Sequence, residues 1–242
     1  MHSRNLVCLA ILCSALWTPA CSFPPKHEYQ MAPGQAYSQE LGSALLLPIN
    51  ETEKPTQGLE KGEKGVFALI TEYLEAQGLE VETLELAQYR KAARDAAEAA
   101  RRQMRSGESS VAREVRFADT VSHIAKAVGS DAALVIVPNM VMRAGEMGGR
   151  SLRWDGVRRK IKGTTNWTMS GNTTAASLHV AIYKGDGSLL FKGYGGLDIL
   201  WAMNAQKRRM ELITDRLEDH DNLAEGICVA FYPYFGAEQT CY

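Results

Sequence analysis

The sequence predicts an α/β protein of the α+β type, in which helices pack against one mixed β-sheet. Residues 43–85 contain an apolar run, an amphipathic helical pattern and an alternating run, in that order. Later, the alternating segment 178–192 folds back on itself around a turn. A strand–helix–strand opening followed by antiparallel hairpins is typical of a mixed sheet with helices packed against it.

The first elements alternate between predicted strands and a predicted helix. Residues 43–50 are a short apolar run, and residues 79–85 alternate apolar with polar side chains, so both segments predict strands. Between them, apolar side chains recur at helical spacing from Val66 to Leu74, and Gly78 stands where a helix commonly ends.

Two further helices and one strand follow. Segment 87–105 is rich in alanine and arginine, which favour helix, and its apolar stripe consists of alanine. This helix is either a solvated surface element or one that meets a partner protein or the anionic membrane surface. Apolar residues from Phe117 to Val128 mark one face of the next helix. Residues 131–139 predict a strand, and Pro138 should end it or lie on an edge because proline has no amide donor.

The rest of the chain is predicted to form hairpins. A glycine-rich bend at 145–149 leads into residues 150–162, where Asp155 and Gly156 predict a tight turn. Residues 163–176 are rich in Thr, Asn, Ser and Gly and predict a loop. A second hairpin is predicted over 178–192.

Two helices are predicted to close the chain. The first has Met210, Ile213 and Leu217 on one side, and the second begins near Asn222 and carries Ile227 on its apolar face.

The N-terminus has the features of an export signal. Arg4 precedes an uncharged apolar run over 6–16, which is too short to span a bilayer, and a small residue stands before Cys21. This segment resembles the signal of a bacterial lipoprotein, in which the cysteine is acylated and becomes the first mature residue. Because Ser22 is not the Asp that retains such lipoproteins at the inner membrane, the resemblance implies the outer membrane. The alternative is an ordinary signal cleaved near Ala20.

These features predict three segments: a signal peptide over 1–20, a lipidated, proline-containing tether over 21–42, and a single periplasmic α/β domain over 43–242. The chain has 27 Lys and Arg against 28 Asp and Glu, and this near-neutral balance argues against a nucleic-acid binder. Outside the signal, no stretch approaches the ~20 apolar residues of a membrane-spanning helix. The lipid is therefore the predicted membrane attachment.

Two cysteines remain after the signal and the lipidated Cys21 are set aside. Cys228 and Cys241 can form a disulfide in an oxidising periplasm. Alternatively, Cys228 is a small core side chain on the last helix and Cys241 is a free thiol. A zinc site needs more ligands than these two, so no metal is expected.

A basic stretch is the main candidate for recognition. Its cations, flanked by Trp154 and Trp167, are Arg150, Arg153, Arg158, Arg159, Lys160 and Lys162. Cations beside aromatic rings can bind a phosphate-bearing glycolipid, an anionic lipid or an acidic partner. Alternatively, these residues form a solvated hairpin whose charges protect an edge strand.

The sequence carries no motif for catalysis or for a cofactor. It lacks a nucleophile elbow, a Walker loop, a dinucleotide-binding fingerprint and a paired-histidine metal helix. The histidines after the signal are His27, His123, His179 and His220. The glycine run at 193–196 could cradle an anion or form a bend in a strand.

The order of elements resembles the periplasmic domains of the curli-secretion lipoprotein CsgG, the LpoB-type activators of peptidoglycan synthases and the N-terminal domain of TolB. The matching segments are 44–50, 66–78, 117–137 and the hairpin 178–192. The resemblance implies a non-catalytic outer-membrane lipoprotein that binds another envelope component, as an assembly or activating factor. The alternative functions are a subunit of a secretion or transport assembly and a periplasmic hydrolase. The partners expected are a protein of the envelope, the lipid bilayer through the N-terminal lipid, and further copies of the chain in a homo-oligomer.

Overall fold

The computed structural model describes residues 28–33, 42–49, 58–105, 113–163, 168–204, 206–207 and 209–235, together with Cys241. Cys21, His27 and Trp167 lie outside the described residues.

One mixed sheet and four helices make up most of the described part of the chain. The strands of the main sheet are β1 (Tyr29–Met31), β2 (Ser43–Leu46), β3 (Glu80–Thr83), β4 (Leu134–Gly149), β5 (Ser151–Trp154), β6 (Val157–Lys160), β7 (Met169–Lys184) and β8 (Leu189–Asp198). A small second sheet pairs β9 (Trp201–Asn204) with β10 (Arg209–Leu212). The helices are α1 (Glu63–Ala76), α2 (Leu86–Arg105), α3 (Arg113–Val128) and α4 (His220–Phe231).

The strand order is β1-β8-β7-β4-β2-β3, and β5 and β6 extend the sheet from the far end of β4. Strand β2 is parallel to both β3 and β4, whereas the β4–β7, β7–β8 and β8–β1 pairs are antiparallel. The sheet is therefore mixed, and the predicted α+β class is confirmed.

Helices cover both faces of the sheet. Ala44 and Leu46 point to the face on which α1 and α4 pack, and Leu45 and Leu47 point to the face on which α2 and α3 pack. Helix α2 buries Tyr89 in addition to Ala92 and Ala96, so its packed face is larger than an alanine stripe would provide. None of the helices in the described residues is long and apolar enough to span a bilayer.

Several sequence predictions of secondary structure were wrong because strands β4 and β7 are much longer than expected. The predicted bend at 145–149 is part of β4, and most of the predicted loop at 163–176 belongs to β7. Gly145 is small for a packing reason, since a Cβ there would lie 2.9 Å from Cδ1 of Leu152. The glycine therefore allows β5 to fold back against β4.

Two other segments also differ from the prediction. Arg209–Leu212 is a strand, and Leu217 lies in a turn with a φ of 60°, so the predicted helix over these residues does not form. Tyr29–Met31, predicted to lie in the tether, pairs with β8, and the Tyr29 ring stacks on Phe191 with centroids 6.4 Å apart.

Pro138 lies within β4, where it does not end the strand. The carbonyl of Ile136 accepts a hydrogen bond from the amide of Leu47, and residues two apart point to the same side of a strand. The nitrogen of Pro138 therefore faces the β2 side, just beyond the last residue of β2. Because the pairing with β2 has ended before Pro138, this side of β4 is locally an edge. The missing amide of Pro138 therefore breaks no hydrogen bond to β2, as the sequence led us to expect.

Candidate functional site

The basic stretch forms the hairpin of β5 and β6. Asp155 and Gly156 have φ values of 35° and 82°, as a two-residue turn with two positive φ angles requires. The register places Arg153 opposite Arg158 and Trp154 opposite Val157. Because neighbouring residues of a strand point to opposite faces, the predicted basic residues divide into an inward set and an outward set.

The inward face of the hairpin is apolar. Leu152, Trp154 and Val157 pack in one buried cluster with Ile161 of the following segment and Val229 of α4. Trp154 is only 4% exposed, and its indole Nε1 donates to the carbonyl of Ala176 at 3.1 Å. Trp154 is therefore a core side chain, and the sequence prediction that it flanks a binding surface was wrong.

Arg159 also points inward. Its Nη1 donates to the carboxylate of Glu225 on α4, and its Nη2 donates to the carbonyl of Asn222 at 3.0 Å. Its Nε is buried and has no hydrogen-bond acceptor among the described residues. A buried donor without an acceptor costs about 1–3 kcal/mol. Arg159 thus anchors the hairpin to α4, a role that was not predicted from the sequence.

The outward face carries the accessible cations. Arg153, Arg158 and Lys160 point outward, and Arg150 is exposed just before β5. Nε of Arg158 donates to Oγ of Ser151 at 3.0 Å. Within the described residues these four cations form no ion pair, although Glu146 lies beside Arg153 in the β4–β5 register. Like charges opposite one another destabilise a sheet, so this arrangement is not explained by folding stability.

Lys162 is separate from this surface. Its Nζ lies 3.0 Å from Oδ2 of Asp215, and both side chains are more than half exposed. The hydrogen bond with Asp215 raises the pKa of Lys162. Because Asp215 neutralises it, Lys162 is a weaker candidate for an anionic ligand than the sequence indicated.

The C-terminal cysteines lie under the hairpin. Sγ atoms of Cys228 and Cys241 are 2.07 Å apart, at the distance of a disulfide bond, and both residues belong to the same cluster as Trp154. Of the two alternatives from the sequence, the structure therefore supports the bridge.

A polar cluster holds the hairpin turn on the sheet. Asp155 accepts hydrogen bonds from Oγ of Ser177 at 2.6 Å and from Nε of Arg143 at 3.2 Å. Arg143 also pairs with Glu28 at 2.7 Å, and its guanidinium lies 4.2 Å from the centroid of the Tyr194 ring. These groups satisfy one another, and no local sequence pattern predicts the cluster because its members come from segments distant in the chain.

The same cluster contains a serine, a histidine and an aspartate, but not in the geometry of a catalytic triad. The hydroxyl of Ser177 donates to Asp155, whereas His179 stacks on Tyr194 with ring centroids 4.6 Å apart. Burial, followed by the charges of Lys192 and Arg143, lowers the pKa of His179 to about 4. A triad requires the histidine to accept the serine proton, and here the serine is engaged with the carboxylate.

The glycine run at 193–196 is explained by the close approach of α4. Cβ atoms built on Gly193 and Gly195 would collide with backbone atoms of α4, namely the carbonyls of Ala230 and Gly226. The run therefore serves packing. The β7–β8 register also shifts where the run ends, between Gly196 and Asp198, which agrees with the predicted bend. No group of three or more His, Cys, Asp or Glu residues in the described segments could hold a metal ion.

Comparison with known proteins gives a likeness in structure. No family model matches the chain, and no curated protein matches it in sequence. The chain is similar to a solved structure of the PelC dodecamer from Paraburkholderia phytofirmans, at 12% identity and a TM-score of 0.39. The match covers 88% of this chain and 100% of that one. A likeness of this size does not indicate a function.

Proposed function

We propose that the chain is a non-catalytic lipoprotein of the bacterial outer membrane that binds an anionic component of the envelope, as an assembly or activating factor. The observation that carries this proposal is the outward face of the β5–β6 hairpin. There, Arg150, Arg153, Arg158 and Lys160 are exposed and have no ion pair with any described residue.

The charge arrangement supports binding over a purely structural role. The whole chain is close to neutral, with a formal net charge of −1, so four unpaired cations on one hairpin create a strongly uneven field. Such a field attracts anionic surfaces and is screened over about 10 Å at 0.1 M salt. Arg153 lies opposite Arg158, where a carboxylate would have been more stabilising.

The compartment is inferred from the N-terminal sequence and the C-terminal cysteines. The segment before Cys21 resembles a lipoprotein signal, and a disulfide between Cys228 and Cys241 fits an oxidising compartment such as the periplasm. The Ser177–Asp155 hydrogen bond weighs against a serine hydrolase, because it leaves the hydroxyl without a histidine base.

The test is a triple substitution on the outward face, Arg153→Gln with Arg158→Gln and Lys160→Gln. Arg159 is left unchanged because it is buried. Capture of envelope components by crosslinking should fall, and the remaining capture should depend less on salt. The free energy of unfolding should change by less than about 1 kcal/mol, since exposed charges contribute little to folding.

A matched control removes the same charge elsewhere, at the exposed residues Lys64, Lys126 and Lys184. This control should keep full capture. If the hairpin variant also keeps full capture but is clearly less stable, the cations protect the edge strand β6, and the proposal is wrong. The helix α2 would then be the next surface to test.

A further inference from the structure

The basic face of the hairpin contains a shallow depression. It has a volume of about 330 Å³ and is lined by Arg150, Ser151, Arg158, Arg159 and Lys160. Four of the five lining residues are cationic. The register places Ser151 opposite Lys160, and the carbonyl of Arg150 accepts from the amide of Ile161, so the two strands are paired where the depression lies.

The lining side chains are partly held in place before any ligand binds. Oγ of Ser151 donates to the carbonyl of Gly148 at 3.2 Å and accepts from Nε of Arg158 at 3.0 Å. The two Nη groups of Arg158 have no acceptor among the described residues. A guanidinium fixed through its Nε presents these Nη donors as a planar fork, which matches the oxygens of a phosphate group.

Arg159, the fourth cation of the lining, adds no free charge to the depression. It is 9% exposed, and its guanidinium is directed inward, where it contacts Glu225 and the carbonyl of Asn222. Its partner Glu225 is the carboxylate that balances it, so Arg150, Arg158 and Lys160 remain uncompensated. The depression therefore combines excess positive charge with the oriented Nη donors of Arg158.

We infer that this depression is a binding site for a single phosphate group. The inference rests on the proposed anion-binding function, and it assigns that binding to one depression on the charged face. A phosphate oxygen can accept from the Nη donors of Arg158, while Lys160 and Arg150 supply charge from the two strand ends. The phosphate can belong to a phospholipid head group or be free in the periplasm, because both present the same oxygens.

Calorimetric titration of the full chain with inorganic phosphate, against chloride at matched ionic strength, tests the site. Phosphate should bind saturably. Arg158→Gln should lower the affinity for phosphate at least about tenfold, since a charge-assisted hydrogen bond is lost. Arg158→Lys should not restore full affinity, because an ammonium lacks the planar fork.

Arg153→Gln is the sharpest comparison, because it removes the same charge from the same face but lies outside the depression. This substitution should lower the affinity for phosphate by less than about threefold, as expected for a screened, exposed charge. If phosphate gives no more heat than chloride, or if Arg153→Gln weakens it as much as Arg158→Gln, the site does not exist. Capture of envelope components by the hairpin cations would still stand in that case, so the two failures are distinguishable.

Vesicles of phosphatidylglycerol mixed with phosphatidylcholine identify the source of the phosphate. If they bind and inorganic phosphate displaces them at matched ionic strength, the site takes a lipid head group. If inorganic phosphate binds and the vesicles do not, the site takes a soluble phosphate. Vesicle binding that survives excess phosphate, together with no phosphate binding, would overturn the inference.

Discussion

Arg159→Gln tests the main disagreement between the sequence and the structure. The sequence places Arg159 among the exposed cations of a recognition surface, whereas the structure places its guanidinium between the hairpin and α4. There it contacts Glu225 and the carbonyl of Asn222. Glutamine is shorter and uncharged, so it cannot make both contacts and leaves Glu225 without its counter-charge.

The expected loss of stability can be worked from the burial of the pair. Breaking a fully buried ion pair by removing one partner costs about 3–5 kcal/mol. Arg159 is 9% exposed but Glu225 is 27% exposed, so the carboxylate can regain part of its hydration. The buried Nε without an acceptor is also removed, which offsets some of the loss. We therefore expect Arg159→Gln to lower the free energy of unfolding by about 2 kcal/mol.

Urea unfolding followed by tryptophan fluorescence measures this loss, because Trp154 lies in the cluster beneath the hairpin. The midpoint should shift with an unchanged slope, as for a change in stability alone. Arg153→Gln on the outward face is the control and should change the free energy of unfolding by at most about 0.5 kcal/mol.

Equal stability of the two variants would refute the assignment of Arg159 as an anchor. If Arg159→Gln were as stable as Arg153→Gln and lost anion binding, Arg159 would be an exposed recognition residue, as the sequence predicted. The separation of the hairpin into an inward and an outward face would then be wrong.

Three further predictions concern other parts of the chain. Replacing Cys228 and Cys241 by Ala should lower stability by about 3 kcal/mol, the chain-entropy value for a loop of this length; two alkylatable thiols in the unreduced protein would exclude the bridge. The pKa of His179 is about 4 in the folded chain and about 6.5 in the unfolded chain. As the pH drops, the unfolded chain therefore takes up this proton first. The free energy of unfolding should accordingly fall between about pH 6.5 and about pH 4. His179→Phe, which keeps a ring on Tyr194, should remove this part of the pH dependence. If the urea midpoint of the variant depends on pH as that of the original chain does, the prediction is wrong. Cys21→Ala should release the exported protein from the membrane fraction, and retention through salt washing would argue against a lipid anchor.

The sequence predicted those elements whose patterns are local. The apolar run at Ser43–Leu46, the helical spacing in α1 and the Asp155–Gly156 turn each indicate one structure without help from the rest of the chain. The long strands failed because glycine and small polar residues usually indicate loops. In β4, Gly145 is required by the side chain of Leu152, a contact that no local pattern reveals.

The sequence predicted the basic hairpin as a segment, but it did not separate the hairpin residues by face. Residues 152, 154, 157, 159 and 161 all point inward, and four of these five are apolar. Strict alternation across the Asp155–Gly156 turn would therefore have placed Arg159 in the inward row. Its partner Glu225 could not have been found this way, since it lies on a helix 66 residues further along the chain.

The two faces of the hairpin depend on each other. Like charges held opposite one another cost about 1 kcal/mol or less in a sheet, whereas burial of a side chain as large as Trp154 or Leu152 contributes about 1.5–3 kcal/mol. The inward face can therefore offset the repulsion between Arg153 and Arg158 without any acidic neighbour. The turn is also held, because Asp155 is bonded to Ser177 and Arg143. The proposed anionic ligand would thus meet cations whose backbone is already fixed. The hairpin would then lose less conformational entropy on binding than a mobile basic loop would.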